Sequence, residues 1–177
     1  KTTTYRVYNE MRITPAEELG IDTFYYSMKA TARPACSPLQ GQIVTKGQAR
    51  EENDITVYSL LDYGYGTAAG CLGIHCGHYL TPFIIGVHEL PNLPDYLKDL
   101  TPEQAEDNAR IEAKQRSLER IIKNHKERLH YAKTMQDDKM IEAERLKVRA
   151  YQVKINTLVL QHDFLHRDYR REKLYVS

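Results

Sequence analysis

The last 75 residues of the chain, 103–177, contain neither glycine nor proline. Proline interrupts a helix and glycine weakens one by about 1 kcal/mol, so their absence favours long helices here. The tetrapeptide "TPEQ" supplies a helix start directly before this region. It places Thr101 as N-cap, Pro102 at the first helical position and Gln104 where a capping box needs it. We therefore predict that a long helix begins at Pro102.

A turn divides this helical region into two parts. The sequence "MQDDK" offers Asp137 or Asp138 as the N-cap of a second helix. Apolar residues recur every three or four positions on both sides of the turn, as expected for helices with one apolar face. This pattern predicts helices over 102–134 and 139–173, arranged as an antiparallel hairpin or as one long broken rod.

The first half of the chain has a different character. Short runs rich in aromatic and β-branched residues, such as 21–31, are typical of strands, and turns rich in proline and glycine separate them. We predict an α+β chain, in which a small mixed α/β body with short strands precedes a long C-terminal helical hairpin or arm. The predicted boundaries are 1–95 for the body with its Cys/His turns, 96–101 for a linker and 102–177 for the arm.

A helix is also predicted at the start of this body, over residues 2–19. Pro15 lacks the backbone N–H that an unbroken helix needs, so the pattern predicts two helical pieces with Thr14 as the N-cap of the second. Gly20 is placed to end the helix in a left-handed conformation.

The net charge of +1 argues neither for nor against nucleic acid, but the charge is unevenly distributed. Residues 1–102 carry 8 basic against 11 acidic side chains, and residues 103–177 carry 17 against 13. The densest basic patch is "HRDYRREK", residues 166–173. We interpret the arm mainly as a solvated helix surface whose charges pair with one another, with weak phosphate contact at this patch as the alternative.

Three cysteines, an odd number, cannot form a complete disulfide framework, and this favours a reduced, intracellular setting. The sequence has no apolar run of 18 residues, so we expect no contact with a membrane through a spanning helix. The chain begins at Lys1 rather than Met, and we expect it to be a part of a longer protein.

The stretch "GCLGIHCGHYLTPF" brings cysteine and histidine close together in sequence. Cys76 and His78 are two residues apart, and Cys36 comes from a proline-rich turn about 40 residues earlier. Zinc favours tetrahedral sets of thiolate and imidazole ligands, and Cys71 or His75 would complete a set of four. Zinc is therefore the cofactor we expect here, although the spacing differs from that of a standard zinc ribbon.

Two other interpretations of this stretch remain open at the level of sequence. As a catalytic site, Cys76 would be the nucleophile and His78 its base, because residues i and i+2 of a strand share one face. The sequence shows no partner to orient the base, and "YGYGTAAG" lacks the rest of a dinucleotide-binding motif. The third interpretation is a buried core corner in which cysteine acts as a small apolar residue. We expect no enzyme activity.

Three segments together resemble the C-terminal region of the tailed-phage minor capsid protein 2 family, which is related to Mu-type head morphogenesis proteins. They are "TTTYRVYNE" (2–10), "ATARPACSPLQGQIVT" (30–45) and "GYGTAAGCLGIHCGHYLTPFIIGV" (64–87). The family's corresponding patterns read "ETTRVxNE", "xARPxHxxWQGxxY" and "GYGTGxGLxGxNCRHxxxPFxxG". The long charged helix that follows them is also in place, so the resemblance covers most of the chain.

The departures from these patterns bear on the Cys/His turns. Cys36 stands where the family has histidine, and this exchange is compatible with a metal site because both residues bind zinc. Gly77 and His75 replace the family's arginine and asparagine, whereas Cys76 and His78 are kept. In the Mu-type relatives, a C-x-x-C turn and a later Cys/His turn suggest a metal site at the same two places. The ligands implied here are Cys36, Cys76 and His78, and then Cys71.

The resemblance implies a structural head protein of a tailed phage, associated with the portal and the capsid interior, that aids head assembly or genome packaging and delivery. Its implied partners are portal and major capsid proteins in homo- or hetero-oligomers, with weak contact to genomic DNA through the basic arm. Its implied location is the virion and, during assembly, the host cytoplasm. Two alternatives are a phage-encoded effector that uses the Cys/His turn, such as a nuclease or ADP-ribosyltransferase, and an intracellular binding module unrelated to phage.

Overall fold

The fold is α+β, as predicted, in a computed structural model that describes residues 2–174. Five short strands form one sheet, and the longest helices follow it in sequence. The helices are α1 (Thr2–Glu18), α2 (Asp95–Lys98), α3 (Pro102–Thr134) and α4 (Asp138–Leu160), and the strands are β1 (Thr23–Tyr26), β2 (Ile43–Thr45), β3 (Arg50–Glu52), β4 (Ile55–Ser59) and β5 (Leu80–Pro82).

The sheet has the strand order β3-β4-β2-β1-β5. Strand β1 pairs antiparallel with β2 and with β5, while β2 and β4 run parallel. Every residue of β1 is buried, because alternate side chains enter two different apolar clusters. Phe24 and Tyr26 belong to the larger cluster, and Tyr25 packs with Ile43 and Phe83 in the smaller one.

Helix α1 is one helix that includes Pro15, so the predicted break at Thr14 is wrong. A proline inside a helix removes one backbone hydrogen bond. Two neighbours of Pro15 are nevertheless buried, Ile13 at 0% and Ala16 at 4% exposure, and their packing holds the helix together across the proline. The predicted end is confirmed: Gly20 has a φ of +77°, and the Ile21 N–H donates to the Ala16 carbonyl.

The strands of the body are shorter than the apolar runs that predicted them. Strand β1 covers only Thr23–Tyr26 of the predicted segment 21–31. Strand β3, Arg50–Glu52, carries charged side chains and has no apolar pattern by which to find it. A short helix, Asp95–Lys98, spans the predicted boundary between the body, 1–95, and the linker, 96–101.

Both reciprocal hydrogen bonds of the predicted capping box before α3 are present, so this prediction is confirmed. The Thr101 N–H donates to Gln104 Oε1 at 2.9 Å, and the Gln104 N–H donates to Thr101 Oγ1 at 3.3 Å. Helix α4 likewise begins as predicted, because the Asp137 side chain accepts from the Met140 N–H. Each helix start is set by side chains within one turn of it, so both starts can be predicted from the sequence.

Helix α4 ends at Leu160, so its predicted extension to residue 173 is wrong. After α4 the chain turns, and a short 3-10 helix follows at Tyr169–Glu172. The Glu172 side chain is fully buried and pairs with Arg167 and with Lys126 of α3. These contacts require the chain to fold back onto α3, and a straight continuation of α4 could not make them.

Helices α3 and α4 form the antiparallel hairpin and not the broken rod. His125 of α3 lies 2.6 Å from the Glu144 carboxylate of α4, and its ring stacks on Tyr151 at 5.4 Å. The basic patch at residues 166–173 contains an internal ion pair between Arg167 and Glu172. Contact of this patch with DNA stays a prediction.

The chain divides into two compact units, of which the first ends at Ala109 and the second begins at Arg110. The start of α3 packs in the first unit: Ala105 is fully buried there, and its carbonyl accepts from the Ala32 N–H. The domain boundaries drawn from sequence at 95 and 102 stay a prediction. Within the described residues, no helix is long and apolar enough to cross a membrane.

Candidate metal centre

Cys36, Cys76 and His78 come together in the first unit. One ligand atom from each side chain lies within 4.8 Å of the other two. All three residues are buried, with exposed fractions of 1%, 6% and 3%. Cys36 belongs to the turn before a short 3-10 helix at Ser37–Leu39, and the other two precede β5. The structure therefore brings together the two turns that the sequence singled out.

The backbone carbonyl and the side chain of Arg33 both hold the first turn in place. The N–H groups of Cys36 and Ser37 both donate to the Arg33 carbonyl at 2.8 Å. The Arg33 guanidinium donates to the carbonyl of Gly70 at 2.8 Å and so ties the first turn to the second. This contact spans 37 residues of sequence and connects the two turns directly.

The second turn needs glycine because its backbone segments approach closely. A Cβ atom on Gly73 would lie 2.6 Å from the Ala68 carbonyl oxygen, closer than such atoms can approach. The Gly73 carbonyl in turn accepts from the Cys76 N–H at 3.1 Å. Residue His75 has a φ of +62°, the left-handed conformation that reverses the chain just before Cys76.

The sulfur and nitrogen atoms of the cluster are in direct contact. Cys36 Sγ lies 3.7 Å from Cys76 Sγ, and Cys76 Sγ lies 3.3 Å from His78 Nδ1. The backbone N–H of His78 also donates to Cys76 Sγ at 3.5 Å. The Tyr26 hydroxyl is 4.0 Å from the same sulfur. The arrangement offers two sulfur donors and one nitrogen donor in a buried environment.

The hydrogen bonds of Gln40 assign the tautomer of His78. Gln40 Oε1 accepts from the Lys29 N–H at 2.6 Å, so this amide atom is the oxygen. The same oxygen lies 2.9 Å from His78 Nε2, and Nε2 must therefore carry the proton. Burial lowers the pKa of His78, so the ring is neutral at pH 7. Nδ1 then points a lone pair at the thiols.

The two thiols of the cluster affect each other. The hydrogen bond between them lowers the pKa of Cys36, and the same bond raises the pKa of Cys76. The second proton of the pair is held more tightly than the first, because two adjacent negative charges repel. A divalent cation would remove that repulsion.

Cys71, His75 and His88 lie outside this cluster. Cys71 Sγ donates to the Leu60 carbonyl at 3.5 Å, and burial raises the pKa of this thiol to about 12. His75 is exposed, and His88 Nδ1 accepts from the N–H of Ile84 in a turn after β5. The structure thus assembles three of the four residues named from the sequence.

The geometry gives little support to thiol catalysis. Cys76 is buried, so a substrate would not reach its sulfur. The effector interpretation, which requires this site to be reactive, is not favoured.

Sequence reasoning missed two amides that hold His78 in place. Gln40 contacts its ring, and Asn9 of α1 donates from Nδ2 to its backbone carbonyl at 3.2 Å. Asn9 Oδ1 also accepts from the Leu80 N–H, so one side chain connects α1 with the start of β5. Both amides lie inside the segments quoted above, "QGQ" and "YNE", and that position was the one available signal.

Three comparisons relate the chain to known proteins. The family model described as phage minor capsid protein 2 matches residues 1–160. A structural protein of Lactococcus phage LL-H is 34% identical over 177 residues, which cover 99% of this chain and 46% of that protein. A structural protein of Lactococcus phage mv4 is 36% identical over 116 residues, covering 66% of this chain and 90% of that protein. The chain thus spans about half the length of the LL-H protein. No solved structure matches.

Proposed function

Because the chain belongs to the phage minor capsid protein 2 family, we propose that it is a structural component of a tailed-phage head, associated with the portal and the capsid interior. In this role it aids head assembly or genome packaging and delivery. Two phage relatives described as structural proteins support the coarser part of this proposal. Membership of a structural capsid family also agrees with the expectation that the chain is not an enzyme.

The outer face of α4 supports a role in assembly. Six exposed residues follow one another at alternating spacings of three and four, and we call them the α4 stripe: Ala143, Leu146, Ala150, Val153, Thr157 and Leu160. The three largest, Leu146, Val153 and Leu160, are 59%, 64% and 84% exposed and lie seven residues apart. This spacing matches the a and d positions of a coiled-coil seam.

The α4 stripe is distinct from the face that α4 uses within the chain. The buried residues of α4 are Glu144, Val148, Ile155 and Leu158. Each is followed two positions later by a member of the α4 stripe, which corresponds to a rotation of about 200° around the helix axis. Helix α4 therefore has two faces, one buried in its own unit and one apolar face exposed to solvent.

Charges beside the α4 stripe indicate the partner. The exposed residues that flank it include three basic ones, Lys147, Arg149 and Lys154, and one acidic one, Glu142. A partner helix with acidic flanks would complement these charges. The small side chains at Ala143 and Ala150 leave room for large apolar residues. We propose that the α4 stripe binds an amphipathic, acidic helix of another virion protein, with the portal as the first candidate.

The test compares two sets of exposed apolar residues in the same unit. In the full-length protein, Leu146→Gln, Val153→Gln and Leu160→Gln are combined, because glutamine keeps helix propensity and removes the apolar stripe. The control variant combines Tyr131→Gln and Met135→Gln, which are 65% and 79% exposed and lie outside the α4 stripe.

The number of copies in purified particles is then measured by quantitative mass spectrometry. We expect at least a tenfold loss for the triple variant and normal incorporation of the control. Circular dichroism must show the same helix content for both proteins. Normal incorporation of a folded triple variant would refute the assembly role of α4. A photo-crosslinker at position 153 then identifies the partner, and crosslinks that do not include the portal would refute portal association.

A further inference from the structure

We propose that Cys36, Cys76 and His78 bind one zinc ion, which links the two turns of the first unit. The proposal rests on the buried donor set and its distances. It does not depend on the role in the phage head, because a metal site can be present whatever the partners of the chain are.

The distances agree with a tetrahedral zinc site. With Zn–S bonds of about 2.3 Å and Zn–N bonds of about 2.0 Å, two sulfurs on one tetrahedral zinc lie about 3.7 Å apart, and a sulfur and a nitrogen lie about 3.5 Å apart. The corresponding separations are 3.7 Å between Cys36 Sγ and Cys76 Sγ and 3.3 Å between Cys76 Sγ and His78 Nδ1. Two of the three separations thus match the edges of a coordination tetrahedron, and the third pair of donors, from Cys36 and His78, lies within 4.8 Å.

The charges of the donor set also fit a divalent cation. Two thiolates and a neutral imidazole carry a total charge of −2, so the buried site becomes neutral when Zn²⁺ binds. Zinc releases the thiol protons and removes the repulsion between Cys36 and Cys76. A buried charge without such a partner would be costly.

Groups around the donors hold them in the orientation that a metal requires. The His78 ring donates Nε2–H to Gln40 Oε1, and this leaves Nδ1 for the metal. A carbonyl oxygen in this position is the usual outer partner of a zinc-binding histidine. The backbone N–H of His78 donates to Cys76 Sγ, a contact that favours the thiolate. Gln40 is therefore a positioning residue.

An oxygen ligand completes the set of four. The Tyr26 hydroxyl is fully buried and lies 4.0 Å from Cys76 Sγ, and a water molecule is the other source of an oxygen ligand. The variant Tyr26→Phe distinguishes the two. Loss of zinc affinity in this variant indicates the phenol, and retained affinity with an unchanged Co²⁺ spectrum indicates water.

The first experiment uses the reduced full chain without substitutions. Zinc is quantified by elemental analysis after purification without chelators, and Co²⁺ is titrated into protein from which zinc has been removed. We expect about one zinc per chain and a tetrahedral Co²⁺ spectrum with a thiolate-to-metal band. Failure to bind either ion would overturn the proposal without any variant having to fold. A Cys36–Cys76 disulfide in freshly isolated protein, found by mass spectrometry, would also overturn it.

Three cysteine variants then locate the site. Cys36→Ser should lose the zinc, whereas Cys36→His should keep it because histidine is also a zinc ligand. The matched control is Cys71→Ser, which alters a buried cysteine outside the cluster and should keep one zinc per chain. Loss of zinc in Cys71→Ser with retention in Cys36→Ser would refute the assigned ligands.

Gln40 is tested as a positioning residue by two substitutions. Gln40→Leu should weaken zinc affinity by about 10–100-fold, the usual effect of losing an outer-shell partner. Gln40→Glu keeps an oxygen acceptor for His78 Nε2–H and should restore most of the affinity. Equal zinc affinities in both variants and the unsubstituted chain would contradict the role of Gln40.

Discussion

Replacing Asn9 with alanine should destabilise the first unit by several kcal/mol. Asn9 is 6% exposed, and its amide connects two backbone groups near β5. Nδ2 donates to the His78 carbonyl at 3.2 Å, and Oδ1 accepts from the Leu80 N–H at 3.0 Å. Alanine cannot replace either bond, so one backbone donor and one backbone acceptor would lose these partners in the interior.

The magnitude follows from these two groups. A buried donor or acceptor without a partner costs about 1–3 kcal/mol, so the pair costs about 2–6 kcal/mol. The higher helix propensity of alanine returns up to about 0.7 kcal/mol. The expected net loss is therefore about 1–5 kcal/mol, against a stability of about 5–15 kcal/mol for an ordinary domain.

Urea unfolding measures this loss, followed by tyrosine fluorescence and circular dichroism. The chain has 13 tyrosines and no tryptophan, so tyrosine emission is not masked. Glu10→Ala is the control, because Glu10 is exposed on the same helix and should change the free energy of unfolding by less than about 0.5 kcal/mol. A loss below about 1 kcal/mol in Asn9→Ala would refute the bridging role of this amide.

Two further predictions concern the second unit. Ile155→Ala should destabilise it by about 2–5 kcal/mol, because Ile155 is fully buried. The control Val153→Ala, on the exposed face, should cost less than about 1 kcal/mol. Equal losses of the two variants in urea unfolding would contradict the assignment of the two faces. The hydrogen bond from Lys147, and then that with His125, lowers the pKa of Glu144. A carboxyl group whose pKa is lowered by folding stabilises the fold at pH values above its ordinary pKa, about 4.3 for glutamate. This contribution is lost as the pH falls through the folded-state pKa. The Glu144→Gln variant should therefore melt at a lower temperature than the unsubstituted chain at pH 7, and it should lose less stability as the pH falls. Melting curves identical to those of the unsubstituted chain from pH 7 to 3 would refute this.

The parts of the fold that the sequence predicted correctly depend on local chemistry. The starts of α3 and α4 are set by Thr101, Gln104 and Asp137, whose side chains bind backbone groups within the first turn. Similarly, Gly20 ends α1 through its own left-handed conformation. Interactions of this kind involve residues at most a few positions apart, so their pattern is visible in the sequence.

The errors occur where contacts distant in sequence override the local pattern. Pro15 predicted a break in α1, but the burial of its neighbours keeps the helix intact. The apolar pattern after Leu160 predicted more helix, but the buried Glu172 pairs with Lys126, 46 residues away, and the chain turns back. Neither contact has a signature within a short window of sequence.

The candidate site was predictable in its donors but not in its supporting groups. Cys36, Cys76 and His78 were identified because few residue types bind zinc and two of the three are close in sequence. Asparagine and glutamine occur throughout proteins, so nothing in composition or spacing distinguishes Asn9 and Gln40. Their roles follow only from the hydrogen bonds that the fold creates.

The α4 stripe says more about the function of the chain than the Cys/His cluster does. A helix that packs on one neighbour needs one apolar face, and the buried residues of α4 already supply it. A second apolar face at coiled-coil spacing adds nothing to the stability of an isolated chain, and exposed apolar surface promotes association. Its presence on a long helix of a phage capsid protein is therefore best explained by contact with another protein of the particle.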